Sequence, residues 1–186
     1  AANVIVLSTG DAPDIFMLDP SIGEFILTDR NVKIKERGKY FSINEGYTKY
    51  WDGPTKDYIN FCKYGTAKID DEEDPNPNLK PMNARYIGSM VADVHRTLVY
   101  GGIFAYPAHK KSTKGKLRLL YEAAPMSFLI EKAGGMSTTG SKRVLDILPT
   151  EYHMKVPIWM GSKDNVEDFL RFVERYGSDH LQGTKL

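Results

Sequence analysis

Glu122 stands inside the apolar part of the stretch GKLRLLYEAAPMSFLIEKAGG, Gly115 to Gly135, three residues before a proline. Two kinds of partner suit Glu122. Arg118, four residues earlier, could form a helical ion pair, worth only about 0.5 kcal/mol on an exposed surface. Alternatively, a carboxylate persists in apolar surroundings because a cation sits opposite it. Two further stretches carry chemistry. PAHKKSTKGK sets His109, Lys110, Lys111, Lys114 and Lys116 side by side, a focus of positive charge suited to an anion, although solvated loops share that composition. NARYIGSMVADV places Arg85 and Tyr86 just before Gly88-Ser89, which open a helix. Free backbone N–H groups at a helix start favour phosphate or hydroxyl oxygens, and an arginine with a tyrosine can complete the cradle.

These groups need elements to hold them. NVIVLS reads as a buried strand, DIFMLDPSIGEFILTD as two strands joined by a Pro-Ser-Ile-Gly turn, and KYFSIN as a further strand. Helices are expected over Pro54 to Tyr64, opened by Asp52 or Gly53, and from an N-cap at Ser89 to Gly101. Others are expected over 117–133 and from about Asp164 to Tyr176, where Phe169, Leu170 and Val173 share a face. IFAYPA and VPIWMG read as strands, and GMST as the start of another. The alternation predicts an α/β fold, a layered domain with a mixed β-sheet flanked by helices, in which residues 1–186 form a single domain. Residues 65–83, with five consecutive acids from Asp70 to Asp74 and three prolines, are expected as a mobile acidic loop.

Turning 100° per residue along 117–133 puts Leu119, Ala123, Met126 and Ile130 on one face, and Leu117, Leu120, Tyr121, Ala124 and Phe128 on the other. A helix sandwiched between two layers is therefore expected, with Glu122 on a narrow polar edge. Pro125 frees the carbonyl of Tyr121 and bends the helix beside Glu122.

Composition narrows the function classes. A chain of 186 residues, 41% hydrophobic, can bury roughly 70% of its unfolded surface as one domain. A net charge of +1 gives no overall pull toward nucleic acid or membrane, and no apolar run approaches the roughly 20 residues of a membrane helix. Cys62 is the only cysteine, so no internal disulfide forms, and His95, His109, His153 and His180 lie too far apart for a helical metal pair. GMSTTGSK has the order Gly-Ser-Lys where a nucleotide-binding P-loop needs Gly-Lys-Ser/Thr. A cytoplasmic protein is expected. The final Thr184-Lys185-Leu186 comes close to the Ser-Lys-Leu address, which leaves a peroxisome-type organelle, a glycosome, as the alternative.

FMLDPSIGEFIL, INEGY, ARYIGSMVADVHRTLVYGGIFAYPA, KGKLRLLYEAAPMSFLIEKAGGMSTTG and VLDILPT together resemble, in order, the C-terminal half of class 1 fructose-1,6-bisphosphatase. That resemblance implies hydrolysis of the 1-phosphate of fructose 1,6-bisphosphate, a step of gluconeogenesis, assisted by Mg2+ or Mn2+. It implies that Asn44, Tyr47, Tyr86 and Tyr106 hold the 6-phosphate, and that Arg85 reaches the 6-phosphate site of a neighbouring subunit in a homotetramer. The backbone at Ser89 and Met90 would meet sugar hydroxyls, and Lys116 would lie against the ring and its phosphate. Glu122 matches the one metal ligand that this half contributes, which makes it the expected catalytic and metal residue.

The resemblance has a gap. The Asp-Pro-Leu-Asp-Gly-Ser motif that carries most metal carboxylates is absent, since LDPSIGEF shares only Asp-Pro with it, and the adenosine monophosphate site lies mainly in the other half. The chain is therefore expected to be a fragment or a cleaved piece, inactive alone, with most metal ligands supplied from elsewhere. A non-catalytic phosphosugar-binding module and an oligomerisation domain are the alternatives.

Overall fold

The computed structural model describes residues 2–65 and 80–177. The acidic run Asp70 to Asp74 and the Thr184-Lys185-Leu186 tail, on both of which an expectation rests, lie outside the described residues.

The chain opens with β1 (Val4–Leu7), β2 (Asp14–Asp19) and β3 (Glu24–Asp29), an antiparallel sheet in that order. A second, five-stranded sheet is the centre of the fold. Its strands are β4 (Tyr40–Ser42), β5 (Asn83–Ala84), β6 (Ile103–Tyr106), β8 (Met136–Thr138) and β10 (Ile158–Gly161), ordered β5-β4-β6-β10-β8. The β5, β4 and β6 strands run parallel to one another, whereas β10 is antiparallel to both its neighbours, giving the expected mixed sheet. A short ribbon pairs β7 (Leu117–Arg118) with β9 (Lys155–Val156).

Successive strand residues point to opposite faces, and here both faces are buried. Ile103 and Ala105 of β6 and Trp159 of β10 pack on one side against Tyr58 and Ile59 of α1 (Gly53–Tyr64) and Phe169 and Phe172 of α4 (Lys163–Arg175). Phe104, Ile158 and Met160 pack on the other against Val94 and Leu98 of α2 (Met90–Tyr100) and Ile130 of α3 (Ala124–Lys132). Helix, sheet and helix thus form three layers. The layers close tightly where β4 meets β6: Gly102 has φ +109°, and a Cβ there would stand 2.1 Å from the Tyr40 carbonyl oxygen, so only glycine fits.

Helix starts follow the sequence. The Asp52 carboxylate caps α1 by accepting from the Thr55 N–H at 3.0 Å, with Pro54 in the first turn.

Three expectations need correction. The first strand forms, but it is not buried: Leu7 is 52% exposed, and Ile5, Met17, Phe25 and Ile26 are exposed too, because no described element covers most of that sheet. The segment 117–133 is not one helix. Leu117 and Arg118 pair with β9, residues Leu119–Ala123 form a π turn in which the Ala124 N–H bonds the Leu119 carbonyl, and α3 begins only at Ala124. Pro125 has no N–H for the Tyr121 carbonyl, so the helical ladder is broken at this place. Nor is this rod sandwiched among the described residues. Leu119, Ala123 and Ile130 are buried as expected, whereas Leu120 and Tyr121 on the opposite face are 41% and 43% exposed.

Candidate phosphosugar site

The start of α2 and the end of β4 meet at the same end of the sheet. Ser89 occupies the N-cap position of α2, yet its side chain makes no capping bond. Asp93, one turn inside the helix, instead holds the segment that leads into it. Its carboxylate is fully buried and accepts from the N–H of Ile87 at 3.0 Å and of Gly88 at 3.0 Å. Ser42 Oγ of β4 at 2.9 Å and Arg96 Nη1 at 2.9 Å complete its shell. Gly88 takes φ +85°, which turns the chain sharply between Tyr86 and the helix. Asp93 therefore ties the turn carrying Arg85 and Tyr86 to both the helix and the sheet. Sequence reasoning missed this role, for which the only signal was an acid one position beyond the capping-box spacing from Ser89.

Beside this turn, Asn44 follows β4 and caps a 3-10 turn, Glu45–Tyr50, by accepting from the Gly46 N–H at 3.1 Å. That short turn presents Tyr47. Tyr106, at the end of β6, lines one cleft with Asn44, Tyr47 and His109. Tyr86 belongs to the same group. Burial pushes its phenol up, Tyr106, Asp93 and Tyr47 act the same way, and a hydrogen bond with the Asn44 side chain pulls it down. Four hydroxyl and amide groups that the sequence scatters between 44 and 106 are thereby gathered in space. Lys116 is exposed, with its Nζ 5.7 Å from the centre of the Tyr106 ring. The space these groups enclose is only about 10 Å³, no more than one water, so what the arrangement offers a phosphorylated polyol is a rim of neutral donors with one ammonium beside it: the donors bind oxygens, and the lysine balances charge.

Arg85 is placed differently. Its contacts among the described residues are the Tyr40 ring, 5.7 Å from the guanidinium carbon, and the Ala84 carbonyl at 2.9 Å, and neither belongs to the tyrosine cleft. Ser89 and Met90 lie at the start of α2, where the first N–H groups have no partner within the helix. Met90 also packs against the core around Phe104.

His109 stacks face to face on Tyr47, with ring centres 4.8 Å apart and planes at 15°. Lys111 lies over the Tyr50 ring at 4.3 Å, and Lys110 donates its N–H to the Tyr50 carbonyl at 3.1 Å. The basic loop is thus held against the 3-10 turn by aromatic contacts.

Glu122 sits in the π turn. Its Oε2 accepts the backbone N–H of Arg118 at 2.7 Å, and its Oε1 accepts from the Arg118 guanidinium at 3.1 Å. Arg118, one of the two partners considered for it, is in contact. No group of three or more His, Cys, Asp or Glu side chains that could hold a metal exists among the described residues. By themselves, these residues do not fit a divalent cation.

No helix among the described residues is long and apolar enough to cross a membrane. Residues 34–174 match the family described as fructose-1-6-bisphosphatase, C-terminal domain. The chain is 52% identical over 175 residues to fructose-1,6-bisphosphatase isozyme 2 of Oryctolagus cuniculus, covering 94% of this chain and 49% of that protein. It is 53% identical over 178 residues to fructose-1,6-bisphosphatase 1 of Bos taurus, covering 96% and 50%, respectively. Against the cytosolic fructose-1,6-bisphosphatase of Musa acuminata it is 56% identical over 164 residues, covering 88% and 45%. The chain spans about half the length of the relatives it matches.

Proposed function

The chain belongs to the fructose-1,6-bisphosphatase C-terminal domain family, and on that premise we propose that it supplies the substrate-binding half of an enzyme that hydrolyses the 1-phosphate of fructose 1,6-bisphosphate. The observation that carries this reading is the convergence of Asn44, Tyr47, Tyr86 and Tyr106. Their hydroxyl and amide hydrogens would donate to the 6-phosphate oxygens, and Lys116 beside Tyr106 would offset part of the charge. The N–H groups at Ser89 and Met90, without a partner among the described residues, would hold sugar hydroxyls. Each hydrogen bond to a charged oxygen contributes about 1.5 to 3 kcal/mol, so a few such contacts suffice to bind and orient a hexose phosphate.

The work of these residues is binding and positioning. Magnesium or manganese belongs to the proposal only for an enzyme whose remaining ligands come from outside the described residues. In that setting Glu122 would contribute one carboxylate oxygen, and Arg118 would have to release it. The assembly we propose is a cytoplasmic homotetramer in which Arg85, exposed and turned onto Tyr40, completes the cleft of a neighbouring subunit.

The engagement of Glu122 by Arg118 favours a second reading of this chain taken alone, that of a phosphosugar-binding module without catalysis. Calorimetric titration with fructose 6-phosphate tests the binding site common to both. Binding should weaken roughly tenfold in Tyr86→Phe and in Tyr106→Phe; unchanged affinity in both variants would remove the cleft from consideration. Phosphate release from fructose 1,6-bisphosphate with magnesium, expected only when the complementary half is present, separates enzyme from module.

A further inference from the structure

We infer that His109 is a further ligand of the sugar's phosphate, donating a hydrogen bond from Nε2 in its neutral form. This rests on the phosphosugar reading of the Asn44, Tyr47, Tyr86 and Tyr106 cleft and adds to it a residue of the basic PAHKKSTKGK loop to which the family resemblance assigned no role.

Place comes first. His109 lines the same cleft as Asn44, Tyr47 and Tyr106. Orientation follows from the stack on Tyr47, 4.8 Å between ring centres at 15°. Parallel rings cover each other's faces and leave their edges free, and the edges carry the hydrogen-bonding atoms of both side chains. The imidazole is also braced from its other neighbour, Tyr50, whose ring centre is 6.2 Å away.

A backbone contact points to one tautomer. The Lys111 N–H donates to His109 Nδ1 at 3.2 Å, so Nδ1 is an acceptor and the hydrogen of the neutral ring sits on Nε2. Nε2 has no hydrogen-bond partner among the described residues, which leaves one free donor on a side chain that lines the cleft.

The surroundings suit an anion. Around the ring stand the phenols of Tyr47 and Tyr50 from the 3-10 turn, with Lys49 over Tyr50 at 5.3 Å and Lys111 over the same ring at 4.3 Å. Partial burial, followed by the Lys111 charge, lowers the imidazole's pKa, so the neutral donor is the form present near pH 7. Protonation would place a hydrogen on Nδ1 against the Lys111 N–H. The site therefore offers a neutral N–H to phosphate, as the tyrosine hydroxyls do, and leaves charge balance to the lysines.

The competing explanation is that the imidazole only packs on Tyr47. His109→Phe separates the two, because it preserves an aromatic stack and deletes the donor, whereas His109→Gln restores a donor without the ring. Titration of the intact polypeptide with fructose 6-phosphate should show affinity roughly tenfold or more weaker in His109→Phe and a smaller loss in His109→Gln. In protein carrying 15N-labelled histidine, the His109 resonances should show the Nε2–H tautomer and shift on addition of fructose 6-phosphate. If wild type binds, Tyr86→Phe weakens binding and His109→Phe does not, the inference is overturned while the phosphosugar reading survives. If wild type does not bind fructose 6-phosphate, both fall together.

Discussion

Arg118 and Glu122 are joined twice, through the backbone N–H at 2.7 Å and the guanidinium at 3.1 Å, so the side chain of the π turn closes back on the strand that leads into it. The carboxylate acts as a cap for an amide as well as an ion-pair partner. Losing a cap costs about 1 kcal/mol, and an exposed pair adds at most about 0.5 kcal/mol. Glu122→Ala should therefore lower the stability of this chain by about 1 kcal/mol, measured by urea denaturation. Calorimetric titration of the chain with Mn2+ should show no stoichiometric site, with or without Glu122→Gln. A tight Mn2+ site lost in Glu122→Gln would mean that Arg118 yields to the metal without help from the rest of the enzyme.

Asp93 makes the strongest prediction about stability. Its buried carboxylate receives Ser42, Ile87, Gly88 and Arg96. The Arg96 side chain is only 14% exposed, and its Nε and Nη2 atoms are buried without a hydrogen-bond partner among the described residues. Removing the acid would leave that cation buried and uncompensated, a loss of roughly 3 to 5 kcal/mol. Asp93→Asn should unfold at markedly lower denaturant and also bind fructose 6-phosphate more weakly, because the Tyr86 turn loses its anchor. Ser42→Ala deletes one bond to the same carboxylate without touching the turn. It should cost only about 1 kcal/mol and leave affinity as it was. Equal affinity loss in both variants would argue that Asp93 acts through general softening of the fold.

How far the sequence reaches is plain in these residues. Strands β6 and β10 are readable because both their faces are buried, which makes continuous apolar runs such as IFAY and IWMG. The cleft tyrosines are readable through the family's motifs, and they do converge. Pro125 announces an irregularity, but a 3.6-residue period cannot represent a π turn, so Leu117 and Arg118 read as helix although they belong to a ribbon with β9. The apolar residues of β1 imply burial only if something lies over them, and no local pattern can tell whether it does. Asp93 is hidden for a related reason. Its partners Ile87 and Gly88 reach it only after the left-handed turn at Gly88 folds them back.

Cys62 offers a chemical check on the packing between α1 and α4. Burial is the main cause that pushes its thiol up to about 12. At pH 8 about one molecule in ten thousand would carry the thiolate, so iodoacetamide should leave the native protein unmodified and label it promptly in denaturant. The sign for stability follows. A thiol whose pKa is raised on folding keeps its proton longer in the native state, so stability should be flat below about pH 9 and fall as pH rises above it, toward 12. Rapid alkylation at pH 8 under native conditions would show that α1 opens locally.

Arg85 tests the shared site. It is exposed and rests on Tyr40, and losing a surface cation–π contact of this kind changes stability by only about 0.5 to 1 kcal/mol. Arg85→Ala should therefore fold normally. If the guanidinium completes a neighbour's cleft, the same variant should weaken fructose 6-phosphate binding in the assembled oligomer by about 1.5 to 3 kcal/mol. The comparison that decides the matter is between oligomer and dilute monomer, with sedimentation reporting which is present. A loss seen only in the oligomer supports sharing between subunits. An equal loss in both would place Arg85 in its own cleft, and no loss in either would leave it an ordinary surface arginine on Tyr40.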